Sequence, residues 1–364
     1  MICGVGEITL KDNRNFLLSK VSTGISTCLS TLDWMRDNSH TSKMLYKSTL
    51  VLLQGGNSIN LPAKYGPLIR DSLVLTMPKG RLDVLLMKTP ANILEVERIV
   101  RGLYEILSRE APKTDRQHVQ CTVLVDGLDI EYDRDQAWEV MTVSNLESDL
   151  PRLFRSIIPS SYRDLQSLPL VVLGNRPAPV VDSKQVIREE EEDMEREAKE
   201  TPNGNLLYNP GISHNVVIVG GTFDHLHAGH KLLLTIAGFL AKETFIIGVT
   251  GPQLLKNKKY AEAMESYTER VDNLRAFLSR VFPSINIETE MINDIYGPTG
   301  TIEDIDALVV SRETRSGGEA VNKFRQEKGW HPLKVYEVDL IGGSSISDKL
   351  SSTELRKKDL EGNL

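Results

Sequence analysis

Short apolar runs rich in Val, Leu and Ile recur from Thr49 onward, at Thr49–Leu53, Ser72–Met77, Leu82–Met87, Val119–Val125, Val140–Val143 and Leu170–Leu173. Bounded by polar stretches, such runs predict strands. Between them, Ile93–Ser108 sets Leu94, Glu97, Arg101 and Glu105 on one face and Val96, Ile99, Val100 and Leu103 on the other, the pattern of an amphipathic helix. Beyond Asn215 the alternation is regular. Strands are expected at Val216–Val219, Thr244–Val249, Ile285–Met291, Ala307–Val310 and Leu333–Val338, with helices at Lys231–Lys242, Tyr267–Val281 and Gly318–Gly329. Strands alternating with helices of this length mean βαβ units with right-handed crossovers, hence a parallel sheet. The fold class is therefore α/β throughout, and any ligand should bind beyond the carboxyl ends of the strands.

Four segments follow from this pattern. Residues 1–45, Ser/Thr-rich and short of acids, read as a poorly ordered leader, with a mitochondrial presequence as the alternative. Residues 46–173 form a separate N-terminal α/β domain with no evident catalytic constellation; Gly55-Gly56-Asn57 reads as a turn. Residues 174–213, with Pro177, Pro179, Pro202-Asn203-Gly204 and Pro210-Gly211, read as a linker, and residues 214–364 as the second domain.

Charge narrows the partners. The chain of 364 residues carries a formal charge of -7, but Arg188–Glu200 alone holds eight acidic and three basic residues, so the remainder is nearly neutral. That run reads as a solvated face of the linker. No dense Lys/Arg cluster offers the basic stripe of a nucleic-acid binder. The three cysteines, Cys3, Cys28 and Cys121, lack C-x-x-C spacing, which excludes a zinc ribbon and fits a reducing compartment. No apolar run approaches the ~18 residues a membrane span requires. A cytoplasmic protein is expected, with nuclear or mitochondrial association left open.

The chemistry concentrates where the first strand of the second domain enters a helix, at Gly220-Gly221-Thr222-Phe223-Asp224-His225-Leu226-His227-Ala228-Gly229-His230. Paired glycines let backbone approach a phosphate. A helix start offers free N–H groups and a positive dipole end to an anion. His227 and His230, three residues apart, point the same way from the first turn. Two imidazoles aimed at a triphosphate can stabilise oxygens that gain charge at the α-phosphorus. A metal half-site is the competing reading, with Asp224 the one local candidate for a further ligand; no metal-binding residue is assigned.

The stretch resembles the H-x-G-H nucleotidyltransferase signature, centred on His227-Ala228-Gly229-His230, and the resemblance implies a Rossmann-like nucleotidyltransferase domain with a doubly wound parallel sheet. The second element of that superfamily, Ile/Val-Ser-Ser/Thr-Ser/Thr-x-x-Arg, is matched by Leu350-Ser351-Ser352-Thr353-Glu354-Leu355-Arg356, apart from Leu350. With Lys256-Asn257-Lys258-Lys259, Asp294–Gly300 and Val309–Thr314 in between, Val216–Arg356 is similar to the eukaryotic-type phosphopantetheine adenylyltransferases. The resemblance implies adenylyl transfer from ATP to 4'-phosphopantetheine by direct in-line attack, giving dephospho-coenzyme A and pyrophosphate, with Mg2+ carried by ATP. It also implies roles for named residues. His230, His227 and Thr222 would stabilise the transferring group, and Lys256 would meet a phosphate, though Lys258 and Lys259 compete for that place. Gly220, Gly221, Phe223 and Gly229 would line the nucleotide. Ser311, Glu313 and Thr314 would either face adenine and ribose or form a plain strand-end turn, and Ser351, Ser352, Thr353 and Arg356 would face the β- and γ-phosphates. Asp294 and Tyr296 either shape the pantetheine side or form a simple Gly-Pro turn. Glu269 and Arg270 would brace the loop ahead of their helix, which Thr268 caps.

Some relatives continue into a dephospho-coenzyme A kinase. No G-x-x-x-x-G-K-[ST] loop occurs in this sequence, so a monofunctional transferase is expected. Two alternatives remain. A cytidylyltransferase acting on phospholipid precursors shares H-x-G-H but carries an Arg ahead of its serine motif, where this chain has Asp348-Lys349. A scaffold would use the N-terminal domain and acidic linker to bind other enzymes of coenzyme A synthesis.

Overall fold

The computed structural model describes residues 44–55, 61–88, 90, 92–125, 138–158, 163–174, 213–256, 258–339 and 351–362. The leader to residue 43, most of the linker and residues 340–350 lie outside these, as do Gly56, Asn57, Asn257 and Leu350.

Two five-stranded sheets, both wholly parallel, make up the fold. The first holds β1 (Tyr46–Leu53), β2 (Thr76–Leu86), β3 (Gln120–Leu124), β4 (Val140–Ser144) and β5 (Leu170–Leu173), in the order β3-β2-β1-β4-β5. The second holds β6 (His214–Gly221), β7 (Ala241–Thr250), β8 (Asn286–Ile292), β9 (Ala307–Ser311) and β10 (Lys334–Val338), in the order β10-β9-β6-β7-β8. Each is the doubly wound order 3-2-1-4-5, so each reverses direction beside its first strand.

Among the described residues, the helices of eight residues or more are α1 (Leu61–Leu75), α2 (Ile93–Lys113), α3 (Leu150–Ile157), α4 (Ala228–Leu240), α5 (Tyr267–Val281), α6 (Arg315–Glu327) and α7 (Ser352–Leu360). Two expectations change here. The run Ser72–Met77 is not a strand: α1 continues through Leu75 and β2 starts at Thr76. Leu68, Ile69, Ser72 and Leu73 are all fully buried, a spacing of three and four that belongs to a helix. The helix expected at Lys231–Lys242 starts a turn earlier, because His227 caps it, and yields to β7 at Ala241.

Alternation along the second sheet separates its two faces. Val217, Val219, Phe245, Ile247, Ala307 and Val309 belong to the main core, with Leu232 and Leu234 of α4 and Leu274 and Leu278 of α5. Ile218, Ile246, Leu308 and Val310 turn to the other side, where Val321 of α6 covers them. The main core also contains Leu50, Leu52, Val84, Val100, Leu103 and Val123 of the first sheet and its helices. The two sheets thus share one continuous apolar core. Among the described residues, no helix is long and apolar enough to cross a membrane.

Candidate active site

Three of the segments singled out for chemistry leave the carboxyl end of the second sheet. The glycine corner follows β6, the lysine loop follows β7 and Ser311–Thr314 follows β9. Since β6 pairs with both β7 and β9, the corner sits at the point where strand order reverses.

The corner is held in a rarely populated backbone form. Phe223 and His225 have φ of 52° and 49°, the left-handed region that costs non-glycine residues energy unless their surroundings enforce it. Three buried groups enforce it. Phe223, fully buried, lays its ring against Gly221, where a Cβ would come within 3.0 Å of it, and edge-on to His230. Gly221 therefore makes room for a side chain, and the ring of Phe223 faces inward rather than toward a nucleotide. Arg270, 1% exposed, donates to the carbonyls of Thr222 at 2.7 Å and Thr250 at 3.0 Å, tying the corner to the end of β7. Asp224, fully buried, accepts from Glu265 N at 2.9 Å and from Arg356 at 2.5 Å.

His227 is the N-cap of α4, its Nδ1 accepting from Gly229 N at 3.2 Å. That contact leaves Nε2 to carry the proton of the neutral ring. His230 stacks on it with centroids 3.9 Å apart, and its buried Nδ1 has no partner among the described residues. Burial, with help from the Lys231 charge, pushes His227 down to about 4, and burial beside His227 pushes His230 well below its usual value. Both imidazoles are neutral near pH 7, so they act as hydrogen-bond donors and not as cations.

The two distant motifs meet. Ser351 caps α7, accepting from Glu354 N at 3.3 Å, and Ser352 Oγ donates to the carbonyl of Asp224 at 2.8 Å. Arg356 departs from expectation. Anticipated as a cation for the β- and γ-phosphates, it is 2% exposed, and its guanidinium joins Asp224, the Lys259 carbonyl at 3.0 Å and Thr353 Oγ1 at 3.2 Å. A buried carboxylate draws it inward, so it braces the corner, the lysine loop and α7 against one another.

The remaining expected residues are peripheral by comparison. Lys256, Lys258 and Lys259 are exposed on the loop after β7. Ser311 and Thr314 cap each other, with Ser311 N donating to Thr314 Oγ1 at 3.1 Å, and Glu313 lies exposed between them. Asp294 Oδ1 accepts from Tyr296 N and Gly297 N, both at 2.8 Å, so this stretch is a built turn; the Tyr296 ring stacks on Phe324. The cap of α5 is Ser266, in a reciprocal box with Glu269, and not Thr268.

His225 received no role from the sequence. Its Nε2 lies 2.7 Å from Asp359 of α7 and its Nδ1 3.1 Å from Asp224. Burial opposes its protonation, but the Asp359 hydrogen bond and the Asp224 charge outweigh it and raise its pKa. Three histidines, His225, His227 and His230, stand close together in the sequence, but only His227 and His230 matched a known pattern. Asp224, His225 and Glu265 bring ligand atoms within 4.8 Å of one another. The Glu265 and His225 N–H groups and Arg356 already engage these carboxylates, which explains their convergence without a cation. At the reversal point of the first sheet, a carboxylate of the chain itself fills the corner: Glu147 accepts from Gln54 N and Tyr65 Oη and pairs with Lys64 at 2.8 Å.

Comparison with known proteins places this geometry. Residues 218–358 match the cytidylyltransferase-like family. The chain is similar to a phosphopantetheine adenylyltransferase of Saccharomyces cerevisiae, 46% identical over 146 residues, which are 39% of this chain and 48% of that protein. The match thus spans about half the length of the yeast relative. It is also 41% identical over 140 residues to a phosphopantetheine adenylyltransferase of Pyrococcus abyssi, covering 38% of this chain and 87% of that protein. A solved protein of unknown function from Archaeoglobus fulgidus is 29% identical, covering 35% of this chain and 99% of its own, with a TM-score of 0.30.

Proposed function

Because the chain belongs to the phosphopantetheine adenylyltransferase family, we propose that it transfers the adenylyl group of ATP to 4'-phosphopantetheine, giving dephospho-coenzyme A and pyrophosphate. The observation that carries this reading is the neutral, stacked pair His227 and His230 at the start of α4. An oxygen of the phosphopantetheine phosphate attacks the α-phosphorus in line. The new P–O bond forms as the bond to the β-phosphate oxygen breaks, and pyrophosphate leaves with that electron pair. His227 donates from Nε2–H, and His230 beside it, to α-phosphate oxygens that gain charge in the five-coordinate state. Neutral donors suit this step, since they strengthen as charge develops and need not give up a proton.

The remaining groups position the reactants, the main source of catalysis in phosphoryl transfer. The first turn of α4, with Gly220 and Thr222, cradles the triphosphate, while Gly229 N donates to His227 Nδ1 and sets that ring. Ser351 and Thr353, at the start of α7, and Ser311, Glu313 and Thr314 border the nucleotide, with Lys256 on the phosphate side. Arg356 acts through Asp224. A divalent cation, Mg2+ in this reading, enters as part of the ATP substrate and offsets charge on the phosphates. The buried Asp224 carboxylate of the corner is already engaged by Arg356 and by Glu265 N. Two soluble substrates fit a cytoplasmic setting.

Pyrophosphate release is measured with 4'-phosphopantetheine and either ATP or CTP. Release with ATP, little with CTP, and a loss of turnover on the order of 10²–10³ in His230→Ala with a smaller change in KM are expected. A preference for CTP, or wild-type turnover in His230→Ala, overturns the reading.

A further inference from the structure

The segment matched in Pyrococcus abyssi makes up 87% of that protein, so that relative carries little chain beyond it. Here the outer face of the site-bearing helix is covered by the first sheet: α4 packs on α2, and α5 on β3. The seam is apolar except at a few points. Arg280 of α5 pairs with Asp83 of β2, a fully buried carboxylate that also accepts from Trp138 Nε1 at 2.6 Å. Closer to the chemistry, Lys231 Nζ donates to the Cys121 carbonyl of β3 at 2.8 Å, with the Phe277 ring 5.8 Å away.

Lys231 is an expensive choice for that place. Removing an ammonium from water costs several kcal/mol, and an apolar side chain of similar volume is often neutral or better for stability. Leu232, Leu233 and Leu234 follow directly, so an apolar residue would have extended the run. What the ammonium adds is direction. Apolar contact allows a helix to slide or turn by fractions of an ångström, whereas a hydrogen bond to a strand carbonyl fixes one register. The backbone so fixed is that of the imidazoles, because Lys231 follows His230 and its N–H closes the first turn on the His227 carbonyl at 3.0 Å.

We infer that Lys231 is a positioning residue for His227 and His230, and that the N-terminal sheet, through the Cys121 carbonyl, is the support on which the catalytic helix is set. The inference rests on the reading of those imidazoles as phosphate-facing groups. The charged or titratable groups around His227 are Lys231 and His230 on its own helix and Asp224 and His225 in the corner. Lys231 and His225 disfavour its protonation, and Asp224 favours it.

The test is Lys231→Met in the full chain, by three readouts: pyrophosphate kinetics, thermal unfolding, and titration of the imidazoles by proton–nitrogen NMR. Turnover should fall by about tenfold to a hundredfold, the scale of a sub-ångström to ångström misplacement, with KM for ATP within about twofold of wild type. Tm should hold or rise, and His227 should titrate at higher pH. Unchanged turnover overturns the inference. So does a variant that melts early or fails to fold, since Lys231 is then a structural contact. If wild type itself releases no pyrophosphate, the reaction assignment falls and the imidazole titration decides alone: an unshifted His227 overturns the positioning role.

Discussion

Asp224 and Arg356 join the two motifs, and their coupling can be measured. Both are essentially buried, and they meet at 2.5 Å. In Asp224→Ala the guanidinium stays inside with the Lys259 carbonyl and Thr353 hydroxyl as acceptors but without a countercharge at hydrogen-bonding distance. Stranding one member of a buried ion pair costs about 3–5 kcal/mol. Arg356→Ala leaves a carboxylate that still accepts from Glu265 N at 2.9 Å and faces His225, so its cost should lie at the lower end of that range. The double variant strands neither charge and should cost less than the two single changes together, by about 1–3 kcal/mol. Urea unfolding gives all three values, provided the slopes agree. Turnover should fall in the same order, because Arg356 and Ser352 hold α7 against the corner. Costs that add to within about 0.5 kcal/mol would refute the coupling.

Two further predictions concern acid and the shared core. In the unfolded chain His227 and His230 bind protons as pH falls through about 6.5, whereas in the folded chain burial keeps them neutral, His227 down to about 4. The unfolded state therefore binds more protons in that window, and stability falls as pH falls, by roughly 3 kcal/mol from His227 alone. Urea midpoints between pH 7 and 4.5 should drop less steeply in His227→Gln than in wild type; equal slopes contradict the burial argument. His225 has the opposite sign, its stabilisation complete at low pH and lost as pH rises through its raised value. Separately, a chain starting at Ser213 exposes the core faces of α4 and α5 and deprives Lys231 and Arg280 of their partners. It should unfold at lower urea and bind an apolar dye, and a midpoint equal to that of the full chain argues against the shared core.

Local pattern carried much of this structure. Helix α5 is read to the residue at Tyr267–Val281, because an amphipathic period and flanking turns agree there. Strand–helix alternation announces a parallel sheet and its carboxyl end, but the reversal of strand order that locates the site appears only in the fold. What stayed hidden depends on contacts far apart in sequence. An Arg in a serine motif announces a cation but not its direction, and only the fold brings Asp224, 132 residues away, beneath Arg356. His225 likewise meets Asp359 across 134 residues. Apolar faces on α2 and α4 announced burial without saying that they cover each other. The apolar run Ser72–Met77 was ambiguous in kind, since a short run fits a strand or a buried helix end equally.

In the proposed reaction the corner at Gly220–His230 joins a nucleotide to a phosphate monoester with loss of pyrophosphate. Phosphorus NMR of the full chain with ATP, Mg2+ and 4'-phosphopantetheine observes that bond directly. A new diphosphate diester signal growing in step with free pyrophosphate is expected, and almost none with His230→Ala. Release of inorganic phosphate and ADP, or an unchanged monoester signal beside intact ATP, would contradict it.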